Sequence, residues 1–225
     1  QGLYAGYKEQ FDREGHDRGY VRDLPEDKHM NAWIVGHVEN YLAARAADGR
    51  PWFLSVGFFD PHHPFDPVEP YASQFAPAEM PMPLWREGED EAMTPPARKR
   101  LKKAFCLDPE KIRGTIAAYH ATIAHVDAMV GRLLGALDRH GLADSTVVIF
   151  TSDHGEMLGD HGILWKGPVF YDGAVRVPLI YRLPPRFGVR GTDAGICSHV
   201  DLAPTVAALA GVDGPALSQG RALLG

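Results

Sequence analysis

Thr146-Val-Val-Ile-Phe-Thr-Ser-Asp-His-Gly-Glu-Met-Leu-Gly-Asp-His-Gly162, with Lys166 four residues further on, joins a β-branched apolar run of strand length to a dense polar cluster. The run Thr146–Phe150 reads as a buried strand. In open α/β sheets ligands collect outside the carboxyl ends of strands, which is where this cluster falls. Asp153 offers a hard anionic oxygen and His154 a nitrogen, a pair suited to a divalent cation. Gly155 lets the backbone turn sharply beside them. Alone, an Asp-His-Gly string also describes a cap or a turn, and the second copy, Asp160-His161-Gly162, fits a turn equally well.

Working outward, the spacing predicts a helix from Asp108 to His140. Asp108 is a capping residue, Pro109 suits the first turn, and Gly141 suits a left-handed C-terminal position. Ile112, Ile116, Tyr119, Ile123, Val126, Val130, Leu133 and Leu137 form one apolar stripe; His120, His125 and Asp127 lie off it and read as solvated. A second amphipathic helix is expected over Met30–Ala47, stopped by Gly49 and Pro51, and a short one over Asp201–Ala210. Trp52–Phe59 and Val177–Tyr181 read as strands. The first of these delivers Asp60-Pro-His-His-Pro64, a second polar cluster at a strand end. Strands separated by long helices imply an α/β fold, a mostly parallel sheet covered by helices on both faces.

Nine of the eighteen prolines fall between Pro61 and Pro96, which nearly excludes regular helix or central strand there. Trp85, Phe65 and Tyr71 in that excursion are read first as residues packing it onto the body, and secondarily as rim contacts for a ligand. The first thirty residues are polar, Gly-rich and read as loop, and no linker divides the chain. The 225 residues suffice for one good-sized domain. With 23 basic against 29 acidic residues the net charge is −6, which argues against a nucleic-acid partner. No apolar run is long enough to span a membrane. Cys106 and Cys197 have neither disulfide-framework nor metal-finger spacing.

The whole string Thr151-Ser-Asp-His-Gly-Glu-Met-Leu-Gly-Asp-His-Gly162 to Lys166-Gly-Pro, followed by Arg176-Val-Pro-Leu-Ile180, resembles the sulfatase family of the alkaline phosphatase superfamily. Supporting motifs occur in the expected order. They are Pro61-His-His-Pro64 after a strand, Tyr119, Asp127, Val130-Gly131 and Leu133-Leu134 on the long helix, and Val200-Asp-Leu-Ala-Pro-Thr205 before an apolar helix. The likeness runs from about Trp33 to Leu224. It implies an alkaline-phosphatase-like fold and metal-dependent hydrolysis of sulfate esters, small-molecule or carbohydrate. By that resemblance Asp153 and His154 are metal ligands. Lys166 and His62 are the catalytic pair, gripping the sulfuryl oxygens and serving the leaving oxygen, and His63 and His161 line the substrate pocket. Calcium is the first expectation for the ion. The family often has Asn where His154 stands, so manganese or another transition ion is the alternative. Asp60 and Glu156 receive no role.

The family's nucleophile, a formylglycine made from Cys or Ser in Cys/Ser-x-Pro/Ala-x-Arg, has no counterpart here. Cys106 is followed by Leu-Asp-Pro-Glu and Cys197 by Ser-His-Val. The chain therefore resembles the middle-to-late part of the large domain. The nucleophile segment is expected upstream and the small C-terminal subdomain downstream, leaving the isolated 225 residues inactive. Two other readings stay open: a phosphonate or phosphate monoester hydrolase of the same superfamily, since the esters share tetrahedral geometry, and a non-catalytic relative that binds an anion.

Overall fold

Asp108 opens the longest helix as its sequence requires: its carboxylate accepts the Glu110 amide at 3.0 Å, and Pro109 occupies the first position. In the computed structural model, which describes residues 21–214 and 216–224, this helix runs Pro109–Arg139 and Gly141 follows with φ 66°. The first long helix, α1, spans Met30–Asp48 and ends on left-handed Gly49, φ 65°. The longest helix is α2. It packs on α1 through Ala32, Val35 and Met129, with Phe58 and Leu133 alongside, and farther along through Leu42, Ala136 and Leu137.

Strand β1, Val148–Thr151, pairs with β2, Leu179–Arg182, in antiparallel register, Phe150 opposite Ile180. The expected mostly parallel sheet is thus represented among the described residues by one antiparallel pair. Trp52–Phe59 forms no ladder among them either. It keeps the period-two alternation of a strand, with Trp52, Leu54, Val56 and Phe58 half-buried while Phe53 and Phe59 stay exposed. A strand is a pairing property, so the pattern survives here without a neighbour.

One expectation for α2 fails. His125 is 1% exposed rather than solvated, because a 31-residue helix is contacted on more sides than its apolar stripe. Ala117, Ala118, Ala121 and Thr122 are buried as well, and Ile123 of the stripe is partly exposed. The Pro-rich excursion folds down through Phe65, 1% exposed and edge-on to Tyr119, and through Val68. Trp85 lies beneath the Lys103 ammonium at 4.5 Å, so these aromatics serve packing.

The chain forms two compact units, one ending at Pro184 and the other covering Pro185–Gly225. In the second, α3 spans Leu202–Ala210. The Asp201 carboxylate accepts the amides of Arg221 and Ser198, each at 2.9 Å, which hold its pKa below the ordinary carboxylate value. The first twenty residues of the sequence-predicted loop lie outside the described residues. Among the described residues no helix is long and apolar enough to cross a membrane.

Candidate active site

The segment between Asp153 and Lys166 is a tightly folded loop pinned by its own apolar residues. Met157 and Ile163 enter a core with Met93, Ala97 and Ala174, while Leu164 packs on Ile112 and Ile116 of α2. Backbone bonds close the loop on itself: Met157 N donates to Trp165 O at 3.1 Å and Gly159 N to Ile163 O at 2.9 Å. Leu158, Gly159, His161, Gly162, Trp165 and Gly167 all have positive φ. Three of them carry a β-carbon in a region that disfavours one, and such backbone persists only where the surroundings over-determine it. Gly155 N donates to Ala174 O at 2.8 Å, clamping the turn behind His154.

That loop brings Lys166 against the Pro61–Pro64 segment. Its Nζ lies 2.5 Å from His62 Nε2. His62 Nδ1 lies 2.6 Å from the His63 carbonyl, so Nδ1 carries the proton and Nε2 presents the lone pair that Lys166 donates to. His63 stacks on His62 at 4.2 Å, Trp165 lies on His63 at 4.8 Å, and the Lys102 ammonium stands 4.2 Å over Trp165. A continuous stack therefore backs the His62–Lys166 pair. Trp165 and Lys102 were not singled out in the sequence; the dense glycines flanking Trp165 were the available signal of an unusual loop.

The His154 ring is 6.4 Å from that of His62. Its Nδ1 lies 2.8 Å from Gly155 O and so donates there, leaving the Nε2 lone pair 3.7 Å from Asp153 Oδ2. Two donors of one metal ion, each about 2.0–2.4 Å from it, are separated by about this much. The residues fit a divalent cation, and Asp153, largely exposed, keeps the position open. His161 is held elsewhere in the loop: Nδ1 meets Glu89 Oε2 at 3.0 Å and the ring stacks on Tyr171 at 4.1 Å. Its contacts are thus with Glu89 and Tyr171 rather than with the His62–Lys166 pair.

Asp60, without a role in the sequence, is held in a buried polar cluster. Its Oδ2 accepts from Asn31 Nδ2 at 2.9 Å and lies 3.8 Å from His29 Nε2, and the His29 ring meets that of His125 edge-on at 4.7 Å. Burial pushes Asp60 up to about 6. It lowers His29 to about 4, with His125 and Arg22 acting in the same direction, and lowers His125 as well. Burial also raises Glu156, whose carboxylate accepts the Leu158 amide at 3.2 Å and so belongs to the loop's internal bracing.

The family model described as Sulfatase matches residues 5–212. The chain belongs to the sulfatase family. An arylsulfatase of Clostridium perfringens is 31% identical over 209 residues, covering 88% of this chain and 42% of its own. A multifunctional alkaline phosphatase superfamily protein of Trinickia caryophylli, PehA, is 32% identical over 218 residues, 89% of this chain and 42% of its own. Among solved structures, a phosphonate monoester hydrolase of Agrobacterium radiobacter superposes with a TM-score of 0.80 at 28% identity, over 98% of this chain and 49% of its own. The chain spans about half the length of these relatives or less, and its fold is the alkaline-phosphatase-like α/β fold they share, incompletely represented. Members of this family generally use a divalent metal.

Proposed function

We propose that the full-length protein hydrolyses sulfate esters, with this chain supplying the half of the site that binds the sulfuryl oxygens and serves the leaving group. The observation that carries the reading is the Lys166 Nζ–His62 Nε2 contact at 2.5 Å, made across 104 residues of sequence and beside the Asp153–His154 pair. An ester anion entering between these groups exchanges the contact for two. The Lys166 ammonium then binds sulfuryl oxygens, opposing charge as it builds up. His62 Nε2, released from Lys166, takes up a proton from water as the anion enters, faces the bridging oxygen and passes that proton to it as the bond to sulfur breaks. His63 and Trp165 fix the plane of His62 and wall the leaving-group side. A divalent ion held by Asp153 and His154, calcium or a transition ion, supplies Lewis-acid charge neutralisation. His161 lies on the loop's Glu89 side and contributes to the outer rim. The nucleophile comes from outside this chain, and the isolated 225 residues are expected to be inactive.

The substrates named for relatives, including an N-acetylglucosamine-6-O-sulfatase of Bacteroides thetaiotaomicron at 42% identity over 127 residues, favour a sulfated small molecule or carbohydrate. A second reading, phosphonate or phosphate monoester hydrolysis, is favoured by the 0.80 TM-score to a phosphonate monoester hydrolase. Parallel assays of the full-length protein on aryl sulfate, aryl phosphate and phosphonate monoesters separate the two. The proposal expects sulfate turnover to dominate; a phosphonate or phosphate rate far above it selects the second reading.

A further inference from the structure

We propose that His29, Asp60 and His125, joined by Asn31, form a second and buried transition-metal site whose ligands are entirely separate from Asp153 and His154. One nitrogen from each ring and an Asp60 oxygen all lie within 4.8 Å of one another. The side chains are 4%, 7% and 1% exposed, respectively, so the group is sealed from solvent.

The hydrogen bonds show acceptors converging on one point. The Asn31 amide nitrogen donates to Asp60 Oδ2 at 2.9 Å and faces His125 Nδ1 at 3.4 Å. A single small donor thus stands between a carboxylate and an imidazole lone pair, which is where a cation would stand. With Nδ1 as acceptor, His125 carries its proton on Nε2. That atom is buried without a hydrogen-bond partner and lies 3.8 Å from Glu26 Oε1. The Tyr71 hydroxyl anchors Glu26 at 2.8 Å, and the Tyr71 ring stacks on His125 at 4.8 Å. A ligating imidazole whose other N–H points to a braced carboxylate is the usual outer arrangement of protein metal sites. Asn31 Oδ1 is likewise buried and without a partner. Rotating the amide by half a turn aims that oxygen where the NH2 now points, adding a fourth donor.

Two neutral imidazoles, one carboxylate and one amide oxygen select a zinc-class ion over calcium, which prefers oxygen alone. Tetrahedral zinc, with bonds of about 2.1 Å, needs ligand atoms about 3.4 Å apart. Side-chain rotations of about 1 Å provide that. Binding also requires His29 to give up its Nδ1 contact with the Asn31 amide, a single helix-capping bond of 3.2 Å. Arg22, whose charge reaches His29 and Asp60, is paired with Asp66 at 3.2 Å.

The test uses full-length protein carrying Asp153→Asn, an exposed position, stripped with chelator, kept in excess calcium and titrated with Co2+. The expected result is one equivalent of Co2+ with the intense visible absorption of tetrahedral coordination, displaced by Zn2+. Affinity should fall at least ~100-fold in His125→Gln. Absence of Co2+ uptake, or uptake undiminished by both His125→Gln and His29→Gln, overturns the site. Should those variants not fold, Tyr71→Phe releases the outer carboxylate and should weaken Co2+ binding by about 10-fold; unchanged binding overturns the proposal equally.

Discussion

Gly155→Ala is the substitution that probes most sharply how the fold holds His154. A β-carbon built at Gly155 lies 2.0 Å from the Gly173 carbonyl oxygen and 3.1 Å from its carbon, whereas real β-carbons essentially never approach closer than 3.0 Å. Both atoms are backbone, so relief demands that one chain segment move by about 1 Å, and the Gly155 N–Ala174 O bond of 2.8 Å stretches with it. His154 donates to the Gly155 carbonyl at 2.8 Å, so the imidazole follows the shift. A displacement of about 1 Å at a site costs on the order of 10²-fold in rate, and overpacking adds about 1–3 kcal/mol of destabilisation. The assays are steady-state turnover of a sulfate ester by the full-length protein, metal affinity by calorimetry, and urea unfolding. Turnover and metal affinity equal to wild type in a folded G155A variant would refute the claim that this clamp aims His154.

Lys166→Ala should lower turnover by about 10²–10³-fold while leaving the thermal midpoint essentially unchanged, as expected for a charge-stabilising group; a calorimetric scan beside the rate measurement checks both halves. Met129→Ala, at a position 1% exposed between α1 and α2, should cost about 2–5 kcal/mol in denaturant unfolding. Burial holds Asp66 up at about 7 against an ordinary 3.8, outweighing the Arg22 guanidinium 3.2 Å away. The folded chain therefore keeps a proton that the unfolded chain releases, and this group makes stability fall as pH rises from about 4 to 7. The Asp66→Asn variant should lose that slope, gaining on wild type by a few kcal/mol across the window at about 1.4 kcal/mol per pH unit; urea titrations at about pH 4.5 and about pH 7.5 read the difference.

Local signals in the sequence proved the most legible. Asp108, Pro109 and Gly141 bound α2 because caps act within a turn of the helix end, and Gly49 ends α1 for the same reason. Trp52–Phe59 shows the limit: alternation reports which side chains face inward, but pairing depends on a neighbour that the segment does not specify. His125 was misread because a stripe argument grants a helix one buried face, whereas His29 and Tyr71 enclose α2 from another side. In the candidate site, Asp153, His154, His62 and Lys166 were legible as a spaced motif. The Lys102–Trp165–His63 stack and the Asn31–Asp60 bond were not, since each joins residues through tertiary contact alone.

A crystal structure of the full-length protein soaked with calcium and sulfate tests the central claim most directly. The account predicts a cation bound by Asp153 and His154, with sulfate oxygens within hydrogen-bond distance of both Lys166 Nζ and His62 Nε2, the two atoms drawn apart to admit the anion. Sulfate bound away from Lys166 and His62, or a cation that ignores both Asp153 and His154, would contradict it.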